Sequence, residues 1–459
     1  MDRKSRRRMK ILDRMGGRLS IKRTSAVARP GRMSFPAGSD RSGRRLRVES
    51  DPLPERTQSP GPCRVIAVLG TRPEAIKLAV VINDLRRRSA EFEVAVVNTG
   101  QHRTMLEQFK IKPDFDLDVM RPNQTLGMLT CRVIDTVENA YRRFKPNIVL
   151  VQGDTTTAFG AALAAYYCKI PVGHIEAGLR SHDIYNPFPE EVNRRLVSVV
   201  TEIHFAPTAL SRDALLAEGV SDAKIVVTGN TVVDALRGLI QLPHSWKGTP
   251  LAGIPADGSR LLLVTSHRRE SWGSDQENMC LALKDLVNRH PDIRVIYPVH
   301  MNPNVRTTIN AMLSGIDRIH LTEPLAYITL VSLLRRCYLV LTDSGGIQEE
   351  APTFHKPVLV LRKVTERPEA LQIGMAKLVG TSREGIFREA DRLLSDTEEY
   401  KRMSEGENPF GDGRASERIV ETIMRWHLGK TPLLDPDKEF KLPPGGHSPR
   451  RETDAEGCE

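Results

Sequence analysis

From residue 64 onward, short unbroken apolar runs alternate with stretches whose apolar residues recur at three- and four-residue intervals. The runs RVIAVLG (64–70), FEVAVVNTG (92–100), NIVLVQGD (147–154), PVGHIEAG (171–178), EIHFAP (202–207) and KIVVTGN (224–230) predict strands. EAIKLAVVINDLRR (74–87), TLGMLTCRVIDTVENAYRRF (125–144) and TTTAFGAALAAYYCK (155–169) predict helices between them. Strands apolar on both faces and separated by helices belong to a parallel sheet covered on both sides. Pro and Gly crowd 242–258, which predicts a linker. Beyond it the alternation restarts with RLLLVTSH (260–267), DIRVIYPVH (292–300), RIHLTEP (318–324), CYLVLTD (337–343) and KPVLVL (356–361). The expected fold class is α/β: two Rossmann-like, doubly wound parallel-sheet domains, 63–241 and 259–410, with a cleft between them. Residues 431–459 show no such pattern and are expected to be a disordered tail.

The 459 residues are enough for two cores, and their 27% charged and 40% hydrophobic content is that of a globular protein. The net charge of +10 points to nucleic acid only until it is located. Residues 1–62 hold 17 Lys/Arg against 6 Asp/Glu, leaving 50 against 51 in the remainder. The part that folds is near neutral, so neither nucleic acid nor a membrane surface is its expected partner. Residues 1–62 have no apolar periodicity and are expected to be a disordered basic tail. An accessory tail, an early start codon or a surface-binding arm are all compatible with it. No run reaches the roughly 18 apolar residues of a membrane span. The six cysteines are scattered without a CxxC pair, which argues against a zinc site and fits the cytoplasm.

Polar groups collect at the carboxyl ends of the predicted strands, where open parallel sheets bind ligands. Arg72 and Lys77 follow the first strand, Asp154 the third and Glu176 the fourth. His267 and Arg268 follow the first strand of the second half, and His300 the next. The turn GTRPEAIK (70–77) is not the GxGxxG of a dinucleotide site, so no nicotinamide cofactor is expected. Its Arg72 and Lys77 suit a diphosphate. Ser344, Gly345 and Gly346 open a helix whose N-terminal N–H groups attract an anion, and Glu350 in the first turns can accept from ribose hydroxyls. The same segment also reads as an ordinary N-cap with helix-start carboxylates. Glu190 and Arg194 lie at helical spacing and are expected to pair, with Glu191 on the exposed face. A carboxylate ending a buried strand, such as Asp154 or Glu176, should have its pKa raised unless it is paired.

Taken in order, GTRPEAIK, TGQH, GDTTT, HIEAGLR, PFPEEVNRR, HRRES and TDSGGIQEEAP resemble the non-hydrolysing UDP-N-acetylglucosamine 2-epimerases over about residues 63–428. The resemblance implies a fold of the GT-B type, a C-terminal helix (411–430) returning to the first domain, a homodimer, and no cofactor or metal. It implies a nucleotide site of Arg72, His300, Ser344, Gly345, Gly346 and Glu350. The acid–base residues it implies are Asp154, Glu176 and Glu190, assisted by Lys77, Arg194 and His267. Gln101 and Arg268 match a second, activating UDP-GlcNAc site of bacterial relatives. Thr104 and Asn123 depart from that site, and Leu330 stands where relatives can carry an aromatic residue. The implied reaction converts UDP-GlcNAc to UDP-ManNAc by eliminating UDP to 2-acetamidoglucal and adding it back. A hydrolysing epimerase and a GT-B glycosyltransferase remain as rival readings of the same residues.

Overall fold

The computed structural model describes residues 61–100, 109, 111–121, 123–268 and 272–442. Among the described residues the first sheet contains β1 (Cys63–Leu69), β2 (Phe92–Asn98), β3 (Phe115–Asp116), β4 (Ile148–Gln152), β5 (Val172–Ile175), β6 (Ile203–Ala206) and β7 (Ile225–Val227). Their order is β3-β2-β1-β4-β5-β6-β7, with every pairing parallel. The second sheet contains β8 (Arg260–Thr265), β9 (Ile293–Pro298), β10 (Ile319–Thr322), β11 (Leu339–Thr342), β12 (Val358–Val360) and β13 (Ala376–Leu378). Its order is β10-β9-β8-β11-β12-β13, also parallel throughout. Strand order reverses between β1 and β4 and between β8 and β11, the switch points where such sheets open a crevice.

In the first half the helices are α1 (Arg72–Arg87), α2 (Leu126–Phe144), α3 (Thr156–Tyr167), α4 (Glu190–Val200), α5 (Ala209–Ala217) and α6 (Thr231–Ile240). In the second half come α7 (Ser274–Arg289), α8 (Pro303–Leu313), α9 (Tyr327–Arg336), α10 (Gly345–Glu350), α11 (Pro368–Gln372), α12 (Arg383–Ser395) and α13 (Thr397–Ser404), and then α14 (Ala415–His427). Successive residues of β1 point to opposite faces, and both faces are dry. Val65, Ala67 and Leu69 pack with Leu78 and Ile82 of α1 and with Ile419 and Ile423 of α14. Ile66 and Val68 pack with Val133 and Val137 of α2 and with Ala158 and Ala161 of α3. The second sheet repeats the arrangement, β8 setting Leu262 and Val264 against α7 and Leu263 against Leu333 and Leu334 of α9.

The strands end earlier than their apolar runs, for local backbone reasons. β4 stops before Gly153 (φ 69°), β5 before Glu176 (φ 66°) and β7 before Gly229 (φ 83°); a left-handed residue cannot extend a strand. β3 and β13 were not among the predicted strands; two- and three-residue segments carry too little periodicity to announce themselves. Residues 242–258 form no helix or strand, yet they are fastened down. Leu251 is buried, and the Trp246 indole N–H donates to Ser332 Oγ on α9 at 3.1 Å.

The reading of 431–459 as a tail is corrected for 431–442. Phe440 donates its backbone N–H to Val227 O at 2.8 Å, and Leu434 and Phe440 are buried. An edge strand with open hydrogen-bonding groups, β7, gives this segment a partner that its own composition does not reveal. The expected tail 1–62 lies outside the described residues except Gly61 and Pro62, as does 443–459.

Candidate active site

The site is built first from the turn between β1 and α1. Pro73 stands in the first turn of α1, and Glu74 forms a capping box with Thr71. The Glu74 carboxylate accepts from the N–H of Thr71 (2.5 Å) and Gly70 (3.0 Å) and from the Thr155 hydroxyl (2.6 Å), so it ties the β1 turn to the β4 turn. A Cβ on Gly70 would lie 2.5 Å from the hydroxyls of Thr99 and Thr157, which is why glycine stands there. One helical turn beyond Glu74, Lys77 points into the molecule. Its ammonium donates to Glu176 Oε1 and, at 3.0 Å, to Glu349 Oε2 on α10, thereby joining the two halves.

Glu176 is buried just past β5. Besides Lys77 it accepts from Gln152 Nε2 on Oε2 and from Asn230 Nδ2 on Oε1 at 3.0 Å. Burial opposes its charge, but Lys77 and then Arg367 outweigh burial and hold the carboxyl below the usual range. Burial likewise opposes the Lys77 charge, and Glu176 and Glu349 overcome it, holding the ammonium above its usual range. Both groups are therefore ionised near neutral pH.

Asp154 follows Gly153 at the end of β4 and pairs with Arg194 of α4. His174 braces this turn, its Nε2 lying 2.8 Å from Gly153 O, and burial depresses the imidazole to about 4, so it is neutral. The expected Glu190–Arg194 pair is corrected. Glu191, one residue on, is the buried carboxylate; it accepts from Arg194 at 3.3 Å and from the N–H of Ser181 at 3.0 Å. α4 begins at Glu190, and its inward face carries 191 and 194 rather than 190 and 194. That leaves Glu190 half-buried with no directly paired cation among the described residues, and burial, with the Asp154 charge beside it, raises its pKa.

The second half supplies the opposite wall. Asp343, fully buried after β11, accepts from the backbone N–H of His267 and Arg268 (both 2.9 Å) and from Ser266 Oγ (3.2 Å). This fixes the start of the loop after β8. The His267 ring, 44% exposed, lies 3.2 Å from Asp343 Oδ1 and 5.9 Å from the His300 ring in a stacked arrangement. Arg268 turns the other way, to Glu366 Oε1 at 3.0 Å. Ser344 precedes α10 without capping it, and Gly345 lies under Arg367, whose Cζ would be 3.2 Å from a Cβ there.

Arg72 reaches from α1 to Leu325 O (3.3 Å), with its guanidinium 5.6 Å over the Tyr327 ring. The Tyr327 hydroxyl donates to Glu350 Oε1 at 3.2 Å, while Oε2 of Glu350 is buried with no hydrogen-bond partner among the described residues. Burial, eased by the Tyr327 bond and reinforced by Glu349, pushes the Glu350 carboxyl up to about 7 from 4.5. A folded value above the unfolded one gives stability that is full below about pH 4.5 and lost as pH rises through about 7. Replacing Glu350 with Gln should therefore flatten the melting temperature of the nucleotide-free protein across that window. Parallel declines in wild type and variant would show that the pH dependence has another source.

The fold thus joins Lys77, Glu176 and Arg268 in one ion-pair network through Glu349, Arg367 and Glu366, with the Asp154–Arg194 pair and Glu190 beside it, Arg72 and Glu350 at a second position, and His267 and His300 side by side. Gln101 lies outside the described residues. Sequence reasoning missed Arg367, which donates to Glu349 Oε1 at 2.8 Å and touches Glu366 at 3.1 Å. A signal existed: Arg-Pro-Glu-Ala occurs at 72–75 and again at 367–370, each time opening a helix. It also missed Gln152 and Asn230, whose amides hold Glu176. Among the described residues no group of three or more His, Cys, Asp or Glu could hold a metal ion, and no helix is long and apolar enough to cross a membrane.

Two doubly wound parallel sheets whose carboxyl ends share one ionic network define a protein of the GT-B class. Within that class the chain belongs to the UDP-N-acetylglucosamine 2-epimerase family, whose model matches residues 83–424. A putative UDP-N-acetylglucosamine 2-epimerase of Thermotoga maritima is 51% identical over 381 residues, covering 82% of this chain and 99% of that protein. The UDP-N-acetylglucosamine 2-epimerase of Escherichia coli K12 is 47% identical over 369 residues, covering 78% of this chain and 98% of that one. The structure of the Neisseria meningitidis UDP-GlcNAc 2-epimerase bound to UDP-GlcNAc superposes with a TM-score of 0.75 at 45% identity, covering 79% of this chain and 100% of that one.

Proposed function

We propose that this chain interconverts UDP-GlcNAc and UDP-ManNAc in the cytoplasm without hydrolysis and without a redox cofactor or metal. The observation that carries the reading is that two unlike carboxylates both face the Asp154 charge: Glu176 is held ionised by Lys77, and Glu190 is pushed by burial toward its protonated form. Two carboxyls with pKa values driven apart suit an acid and a base in one reaction. In the forward direction Glu176 takes the proton from carbon 2. In the same step the carbon 1–oxygen bond breaks, its electrons leaving with UDP, and the electrons of the broken carbon 2–hydrogen bond form the double bond between carbons 1 and 2. Glu190 returns a proton to carbon 2 on the opposite face, and UDP adds back at carbon 1. Asp154 and Arg194 act between them as a charge pair, and Lys77 and His267 offset charge on the departing diphosphate.

Arg72, His300, Ser344, Gly345, Gly346 and Glu350 hold the uridine diphosphate, and the unpartnered Glu350 Oε2 is suited to accept from a hydroxyl. Arg268, with Gln101, serves an activator site. The test is conversion of UDP-GlcNAc in deuterium oxide followed by NMR. UDP-ManNAc should carry deuterium at carbon 2, and recovered UDP-GlcNAc should acquire it more slowly. Full retention of protium in the product would sink the elimination scheme, and free ManNAc with UDP as the main products would favour the hydrolysing reaction.

The active form is a homodimer. Val192, Leu196 and Val199 line one exposed stripe of α4, and Tyr166 and Tyr167 are exposed at the end of the neighbouring α3. Val199, 82% exposed, is the most open of these. Light scattering should give twice the chain mass for the wild type and the single mass for Val199→Asp. A monomeric wild type would refute the dimer.

A further inference from the structure

Asn230, missed in the sequence, stands where three parts of the molecule meet. It caps α6, its Oδ1 accepting from the Val232 N–H at 3.0 Å. Its backbone N–H donates to Phe410 O at 2.6 Å, in the segment that leads from the second half to α14. A Cβ on Gly411 would lie 3.3 Å from the same nitrogen, so the two backbones are in close contact. The amide orientation follows from the chemistry of the cap. A backbone N–H only donates, so Oδ1 must face Val232, and Nδ2 must then face the other way. There it lies 3.0 Å from Glu176 Oε1.

Glu176 is faced by Lys77 from α1, by the neutral amide of Gln152 from β4, by the charges of Asp154 after β4 and Arg367 before α11, and by Asn230. Of the donors, Lys77 is shared with Glu349 and can follow that residue if the halves move. Asn230 is locked to the first half by its own helix cap. We propose that Asn230 is a positioning residue for the reaction: its side-chain amide aims Glu176 Oε1 and favours the ionised carboxylate when Lys77 turns toward substrate. The proposal rests on the reading of Glu176 as the proton acceptor.

Serine and aspartate both cap helices as well as asparagine does, but neither can donate an amide N–H to Glu176. This separates the cap from the positioning role. The full chain, its Asn230→Ser and Asn230→Asp variants and Glu176→Gln would be assayed with UDP-GlcNAc across pH, with melting temperatures alongside. Asn230→Ser should melt near the wild type, keep its KM, and lose kcat by about tenfold. The acidic limb of its kcat profile should move up by about one pH unit, because a carboxylate that loses a donor protonates more readily. Asn230→Asp should move the limb further, since an anion then faces Glu176. If the serine variant does not fold, the aspartate variant decides alone. An unmoved limb in the variants, or activity scaled down equally at every pH with a lowered melting temperature, would reduce Asn230 to a helix cap and overturn the proposal. Wild-type turnover in Glu176→Gln would instead overturn the reading of Glu176, and with it the basis for the proposal.

Discussion

Glu176→Gln should lower kcat by about 10²-fold or more while UDP binds with nearly unchanged affinity. The amide cannot accept the carbon 2 proton, yet it keeps the size of the carboxylate and can still receive the Lys77 and Asn230 hydrogen bonds on its oxygen. The candidate nucleotide groups, Arg72 and Glu350, contact each other's surroundings at Tyr327 rather than Glu176. Steady-state kinetics and UDP titration by calorimetry separate the two effects. A variant that loses UDP affinity but keeps kcat at saturation would invert the assigned roles. Asp154→Asn should behave in the same sense, because Arg194 would then keep only Glu191 as a charged partner and the Asp154 charge that faces Glu176 and Glu190 would be lost.

Lys77→Met should have the largest effect on the fold itself. Its ammonium is the shared counter-charge of two buried carboxylates, Glu176 from the first half and Glu349 from the second. Removing one member of a buried ion pair costs about 3–5 kcal/mol, because the abandoned charge stays out of water. Arg367 remains beside Glu349 and offsets part of that cost. The sign with pH follows from Glu176, which Lys77 holds below the usual carboxylate range: without Lys77 it is harder to ionise, so the deficit should be greatest at neutral pH and shrink as acid protonates it. Denaturant unfolding at two pH values measures this. A deficit that does not change with pH would mean that Lys77 contributes packing rather than charge. Adding Glu349→Gln to Lys77→Met should recover part of the loss.

The alternation of apolar runs with helical stretches was enough to read the two parallel sheets and eleven of the thirteen strands among the described residues. A strand buried on both faces must be apolar throughout, and that requirement is written residue by residue. The helix expected over 74–87 begins two residues earlier, at Arg72, where Pro73 and the Thr71–Glu74 cap set its start. Neighbours along the chain also located Asp154, Glu176, His267 and Ser344, because each follows an apolar strand and ends it.

A residue and its near neighbours thus suffice for the strands, most of the helix positions, and the polar groups exposed at strand ends. Partnership was decided only by the tertiary structure. Glu191 rather than Glu190 meets Arg194, because 191 and 194 lie on the buried face of α4. Residues 431–442 are ordered, because β7 offers them an open edge. Lys77 meets Glu349 across 272 positions of chain, and Asn230 meets Glu176 across 54. Charge and hydrogen-bond energies depend on distance and burial, and neither quantity exists for two residues far apart in sequence until the two sheets have packed.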